Sequence, residues 1–215
     1  MISVLTNIDN MLTFFIGFFI LSIIVILFLK KNKKWTYYGF YSLSEVKKKE
    51  IYIFIPLFIL AFMPLLAGIR SDITFSYIIY LIIYMALVAF VEEVLFRGII
   101  LKILLKKSYI KAIVGSSLLF SLAHILNTLQ VNNLNMIFIQ VLYAFIIGAI
   151  LSILVIKTNN IIFPIIFHYI NNVMRSLNPN GIDTNSLLVT YLMFAIAIFY
   201  MGYLVYSIKK LKIRA

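Results

Sequence analysis

Five ionisable side chains stand where the chain is otherwise apolar, and they are the residues whose types and spacing could do chemistry. The run Ala89-Phe90-Val91-Glu92-Glu93-Val94-Leu95-Phe96-Arg97-Gly98 carries three of them. A charge at the centre of a membrane helix costs about 2.5–3.5 kcal/mol on insertion scales, so three left unpaired would cost roughly 7–10 kcal/mol. Glu93 and Arg97 are i,i+4 neighbours on one helix face and can offset part of that by pairing. Glu92 points about 100° away from Glu93 and is less well placed to reach Arg97. One carboxylate is therefore expected to be structural and the other free for chemistry. A buried ion pair that only fixes packing would need no second, adjacent acid.

The chain has two histidines, and both lie in apolar segments. His124 closes the run Phe120-Ser121-Leu122-Ala123-His124, and His168 opens His168-Tyr169-Ile170-Asn171-Asn172. His168 and Asn172 are again i,i+4 and share a helix face. Pro164, four residues before His168, suits the first turn of a helix, where a missing N–H costs least. Two histidines, an asparagine and a free carboxylate on three separate apolar helices are harder to read as packing residues than a lone histidine would be. Intramembrane ionisable groups face a bundle interior or a wet cavity by default. There is no cysteine, which excludes disulfides, thiolate metal sites and a cysteine nucleophile.

The elements that must position these groups are membrane helices. Of 215 residues, 64% are hydrophobic and 12% charged, and mean hydropathy is +1.08. A soluble domain carries about 25% charged residues, so the lipid bilayer must solvate much of this fold. We expect an all-α transmembrane bundle of about seven spans, at 11–29, 51–69, 74–98, 112–129, 134–156, 161–177 and 186–208. The sixth is the shortest and most polar. No linker or internal repeat divides the chain, so one domain over 1–215 is expected. The first apolar run lacks a basic n-region and a cleavage site, so it is not read as a removable signal peptide.

The net charge of +12 would suggest a nucleic-acid partner in a soluble protein. Here the lysines flank apolar spans instead of lining a face, and no nucleic-acid binding is expected. Lys30, Lys31, Lys33, Lys34, Lys47, Lys48 and Lys49 follow the first span; Lys102, Lys106, Lys107 and Lys111 the third; Lys157 the fifth; and Lys209, Lys210, Lys212 and Arg214 the seventh. The opposite loops hold only Arg70 and Arg175. By the positive-inside rule the N-terminus is external and the C-terminus cytoplasmic, in a plasma membrane. Glu92 and His168 would then lie roughly 10–15 Å from the cytoplasmic ends of their helices, and His124 nearer 20 Å. A cavity between the cytoplasmic face and the midplane could join them.

The three motifs together, Glu-Glu-x-x-x-Arg, Phe-x-x-x-His and His-x-x-x-Asn, in this order and each in an apolar helix, resemble the family of type II CAAX prenyl proteases and bacteriocin-processing or immunity proteins, the CPBP or Abi family. The resemblance runs from about Ala86 to Asn172, within a core at 74–177. It implies an intramembrane endopeptidase in which Glu92 and His124 activate a water, His168 and Asn172 hold the oxyanion, and Glu93 and Arg97 support the site. It implies membrane-associated peptide or single-span protein substrates, in a bacteriocin, pheromone or self-immunity setting. We expect a metal-free glutamate mechanism with no cofactor; the alternative is zinc held by Glu92, His124 and His168. A membrane immunity or scaffold protein that binds a peptide without cutting it is the second functional reading. A transporter is disfavoured, since no repeat and no paired broken helices are present.

The alternation of loop charge can be checked directly. Reporter fusions after residues 34 and 107 should read cytoplasmic, and fusions near residues 72 and 131 external. A cytoplasmic reading at 131 would break the span count and separate His124 from His168.

Overall fold

A computed structural model describes residues 2–32, 34–46, 51–127, 134–178 and 184–212. Lys33, Lys47, Lys48, Lys49 and Arg214, and the tested position 131, lie outside the described residues. All regular structure among them is helical. In chain order the helices are α1 (Ile2–Asn32), α2 (Ile55–Phe62), α3 (Phe75–Glu93), α4 (Leu101–Leu105), α5 (Tyr109–Asn127), α6 (Leu134–Thr158), α7 (Ile162–Ser176) and α8 (Thr184–Lys212).

The seven expected spans appear as seven helical rods, of which four are long and apolar enough to cross a membrane: Met11–Lys31, Phe75–Leu105, Ile137–Thr158 and Leu187–Ser207. The rod around α2 is apolar but short, Tyr52–Ala67, and tightens to 3-10 turns on both sides of α2. Pro56 and Pro64 cannot donate the backbone bonds that a continuous α-helix needs there, and Gly68, at φ 99°, ends the rod. The sixth segment, α7, has only 15 residues.

The third segment departs most from expectation. It runs seven residues past Gly98, to Leu105, because α3 continues through a π-helical turn, Val94–Ile100, into α4. In that turn the Leu101 N–H reaches the Phe96 carbonyl, five residues back, and the Ser116 hydroxyl of α5 donates to the same carbonyl at 2.8 Å. Such turns carry one extra residue and recur at functional sites. Counted from Leu105, Glu92 is roughly 20 Å from the helix end, and His124 is roughly 22 Å from the start of α5. The offset between them expected from the sequence disappears.

α6 is central. Its spanning window is 67% buried within the protein, against 11% for α1, which leaves α1 to the lipid. Ile150, Leu151 and Leu154 of α6 form one core with Leu57 and Leu60 of α2, Phe167 of α7 and Ala197 and Leu204 of α8. The Tyr200 hydroxyl of α8 donates to the Ile53 carbonyl. Toward α5, α6 presents Ala144, Gly148 and Ser152 at four-residue spacing, and α5 answers with Ser117 and Ser121, whose hydroxyls donate within their own helix to Ile113 and Leu118. Small residues let two membrane helices approach closely, which supplies the packing that a hydrophobic effect cannot supply in lipid.

A Cβ on Gly148 would lie 3.1 Å from both Cα and Cβ of Ser117 and 3.4 Å from Arg97 Nη2. Gly148→Val should therefore wedge α5 from α6 at a cost of about 1–3 kcal/mol. Thermal unfolding in detergent should show the loss, with Gly148→Ala intermediate and Gly17→Ala, whose surroundings are open, near the wild type.

Candidate active site

Glu93 sits on the last turn of α3 and Arg97 in the π turn. Both are fully buried, and Arg97 Nη1 donates to Glu93 Oε1 at 2.7 Å. The same Oε1 lies 2.8 Å from His168 Nδ1 of α7. A carboxylate oxygen can only accept there, so Nδ1 carries the proton. One oxygen thus joins the acidic helix to the histidine helix. The expected Glu93–Arg97 pair forms, and its carboxylate also orients His168.

Glu92, one residue earlier, faces a cavity. Its Oε2 is 3.5 Å from His168 Nε2 and is buried without a hydrogen-bond partner. His124 arrives from α5 with Nδ1 3.0 Å from the Phe120 carbonyl, one turn back. That carbonyl can only accept, so Nδ1–H donates to it and Nε2 is left as an acceptor. Ligand-capable atoms of Glu92, His124 and His168 all lie within 4.8 Å of one another. The three groups that the sequence placed on separate helices are in one place.

Phe120 is the platform under them. Its ring centroid is 4.0 Å from Arg97 Cζ, 4.4 Å from the His124 ring and 5.6 Å from the His168 ring. Arg97 Nε and Nη2 have no hydrogen-bond partner, nor does Glu93 Oε2; the ring face covers the guanidinium instead, a desolvated cation–π contact. In the sequence Phe120 was only the start of a motif.

The cavity measures about 340 Å³, at the lower end of the range for ligand pockets. His168, Asn171, Asn172 and Arg175 all line it. Asn172, expected as an oxyanion donor, is partly exposed there, while Asn171 is buried with Oδ1 unpartnered. The Arg175 guanidinium lies 5.9 Å from the ring centroid of Tyr143, whose buried hydroxyl has no hydrogen-bond partner. Asn171, Arg175 and Tyr143 were not picked out from the sequence. The signal for the first two was present: positions 168, 171, 172 and 175 follow i, i+3, i+4, i+7, one polar stripe on an otherwise apolar helix.

The side of the site nearer the lysine-rich loops is closed. Gly39, at φ 93°, brings its carbonyl to the Ile161 N–H at 2.9 Å, and Asn160 Nδ2 donates to the Tyr41 carbonyl at 3.1 Å while its Oδ1 accepts from the Ile162 N–H at 2.8 Å. Leu29, Tyr38, Val94 and Ile161 form a buried cluster around this junction. A Cβ on Gly39 would meet Asn159 O at 3.2 Å and Ile161 N at 3.3 Å, so close approach as well as backbone conformation favours glycine here.

Removing one partner of a buried ion pair costs about 3–5 kcal/mol. Glu93→Ala and Arg97→Ala should therefore accumulate poorly or aggregate, as read by membrane yield and detergent size-exclusion profile. Glu92→Gln, which strands no such partner, should accumulate like the wild type. Normal yield of Arg97→Ala would refute this division between the two acids.

Residues 74–174 match the family model described as type II CAAX prenyl endopeptidase Rce1-like. No curated protein and no solved structure matches the chain. The matched segment begins one residue before α3, ends within α7, and contains all three motifs that the fold joins around one cavity. Over residues 74–174 the chain is similar to the membrane-embedded Rce1-like family of type II CAAX prenyl endopeptidases.

Proposed function

We propose that the protein is an intramembrane endopeptidase that hydrolyses a peptide bond of a small membrane-associated peptide or single-span protein with a water activated by Glu92 and His124. The observation that carries this reading is the buried, unpartnered Glu92 Oε2 in a cavity with two imidazoles whose Nδ1 atoms are already committed, one to Glu93 and one to the Phe120 carbonyl.

A water between His124 Nε2 and Glu92 donates one hydrogen to each and turns a lone pair toward the scissile carbonyl. As the oxygen attacks, Glu92 takes the proton. With both nitrogens of His168 protonated, the quartet of Glu92, Glu93, Arg97 and His168 is neutral, which buried charges require. Nε2–H of His168 and the Asn172 carboxamide then donate to the oxyanion, the term that usually contributes most to such a reaction. Glu92 returns its proton to the departing nitrogen, the C–N bond breaks, and the products are a carboxylic acid and an amine.

Glu92, His124 and His168 are also a donor set that suits zinc, and they would be the residues to hold it; zinc would then polarise the bound water. Neighbouring ligands around tetrahedral zinc are about 3.3 Å apart. The present atoms lie within 4.8 Å of one another; we favour the metal-free water because the ligands would come from three helices with no His-Glu-x-x-His pair. A bacteriocin, a peptide pheromone or a self-immunity target is the kind of substrate we propose. If Glu92→Gln retained the wild-type phenotype, the same cavity would be holding a peptide without cutting it.

Purified protein in liposomes, given a membrane-embedded reporter peptide, should yield two fragments by mass spectrometry. Glu92→Gln and His124→Ala should remove nearly all cleavage, and Asn172→Ala should leave roughly 1/100 to 1/1000 of it. A chelator should not change the rate. Activity lost to chelation and restored by zinc would replace the metal-free mechanism with the metal one.

A further inference from the structure

A second cavity, of about 230 Å³, opens at the lysine-rich end of the bundle and is lined by Lys102, Leu105, Tyr109, Val155, Ile156 and Asn159. It shares no lining residue with the candidate active site. Lys102 and Glu92 stand on one helical rod, ten residues or roughly 15 Å apart. A lysine near the end of a membrane helix ordinarily lays its stem along apolar surface and keeps its ammonium in water. Lys102 is held instead. Its Nζ donates to Asn159 Oδ1 at 2.5 Å. Asn159 in turn takes the left-handed position that ends α6, at φ 51°, with its N–H bonded to the Val155 carbonyl at 2.8 Å.

Charge decides what this cavity can hold. An ammonium has three donors, and the bond to Asn159 uses one of them. An amide oxygen brings no counter-charge. No acidic side chain lines the cavity, and the sequence has no Asp or Glu between Glu93 and Asp183. Lys106, one helical turn after Lys102, and Lys107 and Lys111 are exposed and add positive potential. The other walls are apolar, from Leu105, Val155 and Ile156. Ile103 and Ile110, beside the lining residues of α4 and α5, are 56% and 75% exposed, as side chains facing lipid are. A ligand with an anionic head and an apolar body matches both parts. A zwitterionic head would bring its own cation to a cavity that has only a cation to offer.

We propose that the cavity between α4, α5 and the end of α6 binds a phosphate group, supplied by the headgroup of an anionic phospholipid such as phosphatidylglycerol. Lys102 donates to the phosphate, and the acyl chains lie along the exposed apolar faces of α4 and α5. Basic pockets between membrane helices recognise lipid headgroups in this way. The site depends neither on the endopeptidase reading nor on which side of the membrane the lysine-rich end faces.

Native mass spectrometry of the full chain in detergent, titrated with phosphatidylglycerol or with phosphatidylcholine of the same acyl chains, tests this. The wild type should retain phosphatidylglycerol in preference. Equal retention of the two lipids would overturn the proposal, however any variant behaves. Lys102→Gln should weaken phosphatidylglycerol binding by roughly 10-fold or more, the loss of one charge-assisted hydrogen bond, and Lys102→Arg should recover most of it. Size-exclusion profiles show whether each variant is folded. A folded Lys102→Gln that binds like the wild type would overturn the site. Lys31→Gln, at the end of α1 and outside the cavity, should bind like the wild type. A loss equal to that of Lys102→Gln would make the attraction diffuse charge instead of a site. Inorganic phosphate at the same concentration should leave the lipid bound. Its displacing the lipid would assign the cavity to a soluble phosphate and overturn the lipid source.

Discussion

One oxygen atom, Glu93 Oε1, accepts from Arg97 and from His168 at the same time, and the site is organised around it. In a low-dielectric interior an ion left alone is costly, so a charge either finds a partner or is not retained. Arg97 holds Glu93 as an acceptor, Glu93 accepts the Nδ1–H of His168, and Nε2 is thereby aimed at Glu92. The direction of each side chain in this series is set by the one before it.

The surrounding helices make room for that series. Gly148 lets α6 pass beside Ser117 and the Arg97 guanidinium, and Phe120 supplies a ring face where hydrogen-bond partners are missing. The π turn holds Arg97 within reach of α5, with Ser116 bonded to the carbonyl that the wider turn presents. On the lysine-rich side the 34–46 loop satisfies the backbone at the start of α7, where an unmet N–H would be expensive. α1 joins this arrangement through Leu29, in the buried cluster at that junction. It touches the cavity through Phe18, which meets Tyr84 edge-on at 5.8 Å.

The ionisable groups that meet at the cavity were legible in the sequence because each violates the membrane pattern. A carboxylate or imidazole in an apolar helix is conspicuous, and the i,i+4 spacing of Glu93 with Arg97 gave their pairing directly. Helix number was legible from hydropathy. Helix length was not: α2 is limited by its two prolines, α7 by a start buried under a loop, and α3 is prolonged by a π turn with no signature in residue type. The same turn displaced the estimated depth of Glu92. Phe120 escaped notice because a phenylalanine in a membrane helix is unremarkable until its neighbours are known. Asn171 and Arg175 could have been found, since they complete the polar stripe begun by His168 and Asn172.

The shortness of α7 bears on how a hydrolase can work inside a bilayer at all. Its 15 residues rise only about 22 Å, whereas a hydrocarbon core is about 30 Å thick. Because the 34–46 loop seals the first turn of α7, a shortfall of that size would fall beyond Ser176. Lipid meets such a mismatch by thinning around it. A bilayer thinned in that way would shorten the path from bulk solvent to Glu92, and with it the path of the water that the proposed hydrolysis consumes.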